Sequence, residues 1–253
     1  MEVELKYTIR NEKIMDALWH DEFMERYMKE DSRSVEEYDG VYYDTEDFSL
    51  LKNKIAYRIR KEGAKKVACV KWAGGVDGAL HERNELNVTL AEAAPEEMER
   101  VSGEDIIFGT PGESRPSGEE EKVLRMRKTM AIMPKPDLTV FNQSEIGQRV
   151  EAVVKDKEVQ PIMEVLVVRK TYRIDTGSSM MEVALDKGKI IAGGKEEPIL
   201  ELEIELYTGE RQDLLDLGKQ LEERYRLVPE TRSKFARGLA LLGLNQKALE
   251  SEE

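Results

Sequence analysis

Hydrophobic and polar positions alternate at the very start of the chain, where Glu2, Glu4 and Lys6 interleave with Val3, Leu5 and Tyr7. A period of two places these sets on opposite faces of a single strand, here Met1–Ile9. Helical spacing follows over Ile14–Met28, with Ile14, Met15 and Leu18 on one side. Strand patterns return at Tyr38–Tyr43, Ala56–Lys61, Val67–Trp72 and Glu82–Leu90, with Asp39-Gly40, Gly63, Gly74-Gly75 and Asp77-Gly78 offering turn chemistry. Later strands are predicted at Met163–Ile174, Met180–Leu185 and Ile199–Tyr207. Helices are predicted at Arg211–Arg226 and Thr231–Leu242.

The middle of the chain reads differently. Ala91–Val101 is expected to be helical, Gly109–Glu121 is a Gly/Pro/Ser/Glu loop without an apolar side chain, and Lys122–Met133 is a further strand candidate. Its Lys122, Arg125 and Arg127 fit a solvated edge better than a barrel wall. Ser144–Val154 is a helix with Ser144 available as its cap. Many strands with helices at their flanks predict an α+β fold built on an antiparallel sheet or barrel. No fixed-period repeat interrupts it. One domain is expected over residues 1–245, elaborated over about 91–160, with a frayed tail at 246–253.

Composition narrows the function classes. The 253 residues are 40% hydrophobic and 36% charged, enough for a core and against full disorder. No apolar run spans a bilayer, and Glu2 and Glu4 stand where a secretory signal would be basic and apolar. The single cysteine, Cys69, rules out an internal disulfide and reads as a buried inert thiol, so the expected compartment is the cytoplasm. A net charge of −13 argues against a nucleic-acid or membrane-surface partner, while leaving room for a local basic pocket. Monomer and homodimer both remain open.

The candidate chemistry lies in the charged faces of the strands. Glu201, Glu203 and Glu205 share a face opposite Leu202, Ile204 and Leu206, as Glu2, Glu4 and Lys6 do. Arg58 pairs with Arg60, Arg169 with Arg173, and Arg83 with Glu85, while Lys71 interrupts an apolar run. A lone E-x-E-x-E strand is ordinarily the wet face of a half-buried antiparallel strand. Carboxylates two apart on one strand repel, and a closed barrel tolerates them only with cations inside. Rows of both signs on the same class of position suit a polyanion held with a hard metal ion. No P-loop occurs, and the scattered aromatics form no base-stacking platform; Tyr43 and Trp72 read as packing residues. His20 and His81 are expected at the surface or at helix ends.

The ordered set of motifs resembles the CYTH superfamily, the triphosphate tunnel metalloenzymes. MEVELKY is similar to the E-x-E-x-K first strand, and VYYDTEDFSLLKNKIAYRIRKEG to the Y-x-D-T…L-R-x-R hairpin with Tyr43, Asp44, Thr45, Arg58 and Arg60. ACVKWAGG carries Lys71, HERNELNV carries Arg83 and Glu85, and EVLVVRKTYRI carries Arg169. MEVALDKGKIIAGG carries Glu182, Asp186 and Gly188, PILELEIELYTGE the late carboxylate row, and PETRSKFARG Lys234. The stretch from Ala91 to about Gln160 departs from the smallest members.

The resemblance implies an antiparallel barrel with a charged tunnel. In it, Arg58, Arg60, Lys71, Arg83, Arg169 and Lys234 would grip phosphate, and Glu2, Glu4, Glu201, Glu203 and Glu205 would hold one or two Mg²⁺ or Mn²⁺ ions. Lys6 would be a catalytic lysine. Glu85, also placed among the catalytic groups, stays open with Glu182 and Asp186 between ligand, base and arginine partner, and Arg173 is a weaker candidate. The implied activity is hydrolysis of a small triphosphate, first of all inorganic triphosphate to pyrophosphate and phosphate. The AGG, PILELEIEL and SKFARG stretches are most similar to bacterial inorganic triphosphatases, although this chain is too short for the C-terminal helical domain of their long forms. A class IV-type adenylyl cyclase or thiamine triphosphatase uses the same rows, and a non-catalytic polyphosphate or nucleotide binder is the reading from another class.

Overall fold

The structure is a computed structural model that describes residues 1–92, 98–100 and 132–244. Eleven described strands occur in the order β1 (Glu2–Thr8), β2 (Ser34–Thr45), β3 (Ile55–Glu62), β4 (Lys65–Asp77), β5 (Leu80–Leu90), β6 (Met98–Arg100), β7 (Ile132–Pro134), β8 (Val159–Asp175), β9 (Met180–Ala192), β10 (Lys195–Thr208) and β11 (Val228–Pro229). The helices are α1 (Glu12–Trp19), α2 (Glu22–Tyr27), α3 (Ser49–Lys52), α4 (Glu145–Val154), α5 (Arg211–Tyr225) and α6 (Lys234–Leu241), with a 3₁₀ turn at Leu138–Phe141.

Strands run β10-β9-β8-β2-β3-β4-β5-β1, every pair antiparallel, and β1 then pairs with β10 to close an eight-stranded barrel. Among the described residues, closure leaves none of these eight strands as a sheet edge. It also fixes register at the seam, where Glu4 lies across from Glu205, Lys6 from Glu203 and Thr8 from Glu201. Cross-strand partners share a face, so the charged rows of β1 and β10 point into one lumen.

Two apolar layers cover the outside. Leu5, Tyr7, Leu202 and Ile204 pack with Met15 and Leu18 of α1, Met24 of α2, and Leu214 and Leu221 of α5. Val41, Tyr57, Ile59 and Val70 pack with Leu50 of α3, Phe141, and Val150 and Val154 of α4. Each fully buried aliphatic side chain contributes about 1.5–3 kcal/mol. A third layer is inside. Met163, Val165, Ile190 and Ile199 occupy the same parity as Arg169, Asp186 and Glu201, and they meet Leu239 of α6. Helix α6 therefore plugs one end of the lumen. Gly238 permits its close seat, because a Cβ there would stand 2.3 Å from Met163 Sδ.

Several expectations are corrected. The helix expected over Ile14–Met28 is two, broken where buried Asp21 accepts from the Met24 amide at 2.9 Å and caps α2. Arg224 and Tyr225 of α5 hold the same carboxylate at 2.7 and 2.6 Å, a tertiary cause invisible to local periodicity. Met98–Arg100 is a strand paired with Ile132–Pro134, where Ala91–Val101 had been expected to be helical. Asp39-Gly40 lies within β2 rather than at a turn, and Gly74-Gly75 within β4 beside a bulge between Trp72 and Gly74. The predicted loop 109–121 and residues 122–131 of the predicted strand lie outside the described residues. Among the described residues, no helix is long and apolar enough to cross a membrane.

Candidate active site

The lumen carries two linked groups of charges. In the first, Lys234, on the opening turn of α6, places Nζ 2.8 Å from Asp186 Oδ2, 2.8 Å from Glu201 Oε2 and 2.7 Å from Glu203 Oε1. Ser233 starts that helix by accepting from the Ala236 amide, which aims Lys234 inward. Arg169 binds Asp186 through Nε and Nη2 at 2.7 and 2.6 Å and reaches Glu203 at 2.5 Å. Lys6 lies 2.9 Å from Glu203 and 3.4 Å from Glu4, and Arg237 of α6 holds Glu201 and Glu197.

In the second group, Lys71 bridges Glu2 at 2.9 Å and Glu85 at 2.5 Å. Asn87 and Cys69 donate to Glu85 at 2.6 and 3.4 Å. Cys69 is buried as expected, and its strand partner is Arg58. Arg58 stacks over Tyr42, and its buried Nε and Nη2 have no hydrogen-bond partner among the described residues. Arg83 stands 3.9 Å from both Glu2 and Glu4, linking the groups.

For Glu203, Asp186 and Glu85, burial raises the carboxyl pKa and neighbouring charge decides the outcome. For Glu203, the charges of Lys234, Lys6 and Arg169 outweigh burial and hold it well below the usual carboxylate range. Arg169 and Lys234 do the same for Asp186, and Lys71 and Arg58 for Glu85. For Glu205, burial acts together with Glu2, Glu4 and Glu182, and the carboxyl is pushed up to about 8. Glu205 thus stands on a wall of carboxylates, with Glu4 and Glu182 as its direct strand partners.

Among the described residues, ligand oxygens of Asp186, Glu201 and Glu203 all lie within 4.8 Å of one another, and all three residues are buried. This is a hard-oxygen set of a kind that holds a divalent cation. The five carboxylates expected as metal ligands are therefore divided by the barrel: Glu201 and Glu203 join Asp186, Glu4 is a neighbour through Lys6, Glu2 is on Lys71, and Glu205 stands apart.

Residues 1–239 match the CYTH domain family. The chain belongs to that family. Among curated proteins, an inorganic triphosphatase of Haemophilus influenzae is 30% identical over 207 residues, which is 82% of this chain. The chain spans about half of that relative, 46% of its length. Of solved structures, a Hippeastrum protein named as an adenylyl cyclase with a dominant triphosphatase activity superposes with a TM-score of 0.58. It is 18% identical and covers 96% of this chain and 97% of its own. A protein of Bacillus halodurans named as an adenylate cyclase gives 0.50 at 16% identity, covering 94% and 96%. These two likenesses concern the fold.

Within this CYTH barrel, the motif residues divide into lumen and scaffold. Asp44 is scaffold: its carboxylate accepts from the amides of Thr45, Leu50 and Leu51 at 2.7, 2.9 and 2.9 Å and so starts α3. Tyr43 packs in the outer layer. Arg60 is tied to Glu62 on its own strand, and Arg173 is an exposed rim residue 3.5 Å from Glu182. Arg237 and His81 were not singled out as site residues. Arg237 follows Lys234 by three residues and so shares its helix face, a spacing visible in the sequence. His81 corrects the surface expectation: it is fully buried and shares the lumen face of Arg83 and Glu85, whereas His20 is an exposed helix-end residue.

Proposed function

We propose that the chain is a metal-dependent triphosphatase that cleaves inorganic triphosphate to pyrophosphate and phosphate. The observation carrying this reading is that one lumen holds a buried carboxylate trio together with the half-buried Arg58, whose buried Nε and Nη2 have no partner among the described residues. A buried cation with unmade hydrogen bonds costs free energy until a ligand supplies acceptors, and phosphate oxygens are well suited to it. The inorganic triphosphatase relative supports the choice of substrate.

Asp186, Glu201 and Glu203 fit Mg²⁺ or Mn²⁺ by donor type, and Glu4 lies beside them through Lys6. A bound ion there would offset phosphate charge and lower the pKa of a nearby water. Arg58, Lys71 and Arg83 grip phosphate oxygens, and Glu85 keeps Lys71 in place. Arg169 and Lys234, now on carboxylates, divide their donors between these and the substrate. Burial lowers Lys6, but Glu203 and Glu4 raise it further, so it acts as a fixed cation at the reacting phosphate rather than as a base. The water oxygen forms a bond to the terminal phosphorus, the bond to the pyrophosphate oxygen breaks, and the water's proton passes to solvent.

A second reading has one observation in its favour. Trp72 and Phe235 line a cavity of about 320 Å³ beside Lys71 and Arg83, which offers an organic group attached to the triphosphate a place to sit. That fits a nucleoside or thiamine triphosphate. The test is to incubate the protein with triphosphate, ATP and thiamine triphosphate in turn, with Mg²⁺ or Mn²⁺, and to measure phosphate, pyrophosphate and cyclic AMP. Preferential phosphate release from triphosphate supports the proposal. Cyclic AMP with pyrophosphate replaces it with a cyclase, and no turnover leaves a binder.

A further inference from the structure

His81 has no part in the grip just described, yet it is fully buried on the lumen face beside Arg83. Its Nε2 lies 2.7 Å from the Glu230 carbonyl oxygen, which only accepts, so Nε2 carries the proton. Its Nδ1 lies 3.0 Å from Arg83 Nη2, which only donates, so Nδ1 carries the lone pair. Both neighbours thus select one neutral tautomer. The Glu230 amide in turn donates to the Lys6 carbonyl at 3.0 Å, and α6 with Lys234 begins four residues later. One imidazole therefore ties the Arg83 guanidinium to β1 and to the segment that leads into the plug helix.

Without that tie, Arg83 would depend on Glu2 and Glu4, each 3.9 Å away, and on the open cavity that it lines. A guanidinium anchored on one nitrogen keeps its remaining donors aimed at a substrate with less entropy to lose on binding.

We propose that His81 is a positioning residue, which as its Nε2–H tautomer fixes Arg83 for phosphate binding and couples it to the segment carrying Lys234. This rests on the reading of Arg83 as a phosphate ligand. Burial, with the charge of Lys6 next, lowers the imidazole's affinity for a proton, in keeping with the neutral form.

Two measurements test it. Long-range ¹H–¹⁵N spectra of the wild-type protein contain only two imidazoles, His20 and His81. His81 is expected as the pure Nε2–H tautomer, with its signals moved by Arg83→Ala and those of exposed His20 unmoved. An Nδ1–H form or a tautomer average overturns the proposal. The second measurement is affinity for inorganic triphosphate by calorimetry in metal-free buffer. His81→Asn keeps an acceptor near Nδ1 and should bind within about threefold of wild type, whereas His81→Phe should weaken binding about tenfold, the effect of one lost hydrogen bond. In an Arg83→Ala background, His81→Phe should add nothing. An equal loss in both backgrounds would mean a merely structural histidine and overturn the proposal. If Arg83→Ala itself leaves affinity unchanged, the phosphate role of Arg83 fails and the proposal with it. If Arg83→Ala weakens binding but His81→Phe does not, His81 alone is refuted.

Discussion

Lys234 Nζ lies 2.7 Å from Glu203 Oε1, and the same ammonium group contacts Asp186 and Glu201 at 2.8 Å. The three carboxylates suited to a divalent ion are thus already occupied by a tethered monovalent cation. On the proposed reading, an incoming ion would compete with Lys234 for these carboxylates and free its ammonium group for the substrate. Removing one partner of such a buried set costs about 3–5 kcal/mol. Lys234→Met should therefore lower the metal-free Tm by on the order of 10 °C, at about 2–4 °C per kcal/mol for a chain of this size. Thermal melts in chelator and in millimolar Mn²⁺ check this: the rise in Tm on adding metal should be larger in the variant than in the wild type.

Glu203 contacts Lys6, Arg169 and Lys234 at 2.9, 2.5 and 2.7 Å. Glu203→Gln keeps the shape and removes the charge on which they converge. Triphosphate turnover should fall by about 100-fold or more, while triphosphate still binds. Full activity would show that the carboxylate trio is not the metal site.

Arg58 separates stability from binding. Among the described residues its buried Nε and Nη2 have no partners, but its charge helps hold Glu85 low, so Arg58→Met should lower the substrate-free Tm by less than Lys234→Met does. Triphosphate affinity should fall roughly 10- to 100-fold, as expected for about 1.5–3 kcal/mol per hydrogen bond to a charged group. Melting curves and calorimetry on one preparation measure both.

Glu205 sets a pH dependence. Its folded pKa of about 8 is above the ordinary 4.5, so between these values the folded protein holds a proton that the unfolded chain has released. Stability from this group is present at low pH and is lost as pH rises through 8. The groups held low, such as Glu203 and Glu85, act below the ordinary carboxylate range. His81 is held below 6.5. Melts in chelator between pH 7 and 8.5 should therefore show a decline that Glu205→Gln flattens. An equal slope in both proteins would refute the assignment.

Strand parity was the legible part of this molecule. Alternation in EVELKY was enough to place Glu2, Glu4 and Lys6 on one face of their strand, and alternation in ELEIEL to do the same for Glu201 and Glu203, while the seam register joins the two rows in one lumen. What parity cannot give is position along the tunnel. Glu205 and Glu203 share a face, yet one stands among carboxylates and the other among three cations, since α6 reaches only one end. Nor does parity reveal that Met163 and Ile190 point inward, because apolar residues on a lumen face look like an ordinary core until Leu239 is seen to cover them. His81 was missed for a similar reason. Its partners, Arg83 and the Glu230 carbonyl, are 2 and 149 residues away, and only barrel closure brings the second one near. Gly188 stands in the MEVALDKGKIIAGG motif, but its reason is structural: a Cβ there would lie 1.9 Å from the Leu166 carbonyl oxygen.

The most direct test of the central claim is ³¹P NMR of inorganic triphosphate with the wild-type protein, run with Mg²⁺ or Mn²⁺ and again in excess chelator. The account predicts equimolar phosphate and pyrophosphate appearing only with the cation. Intact triphosphate under every condition, or the same rate of cleavage in chelator, would contradict it.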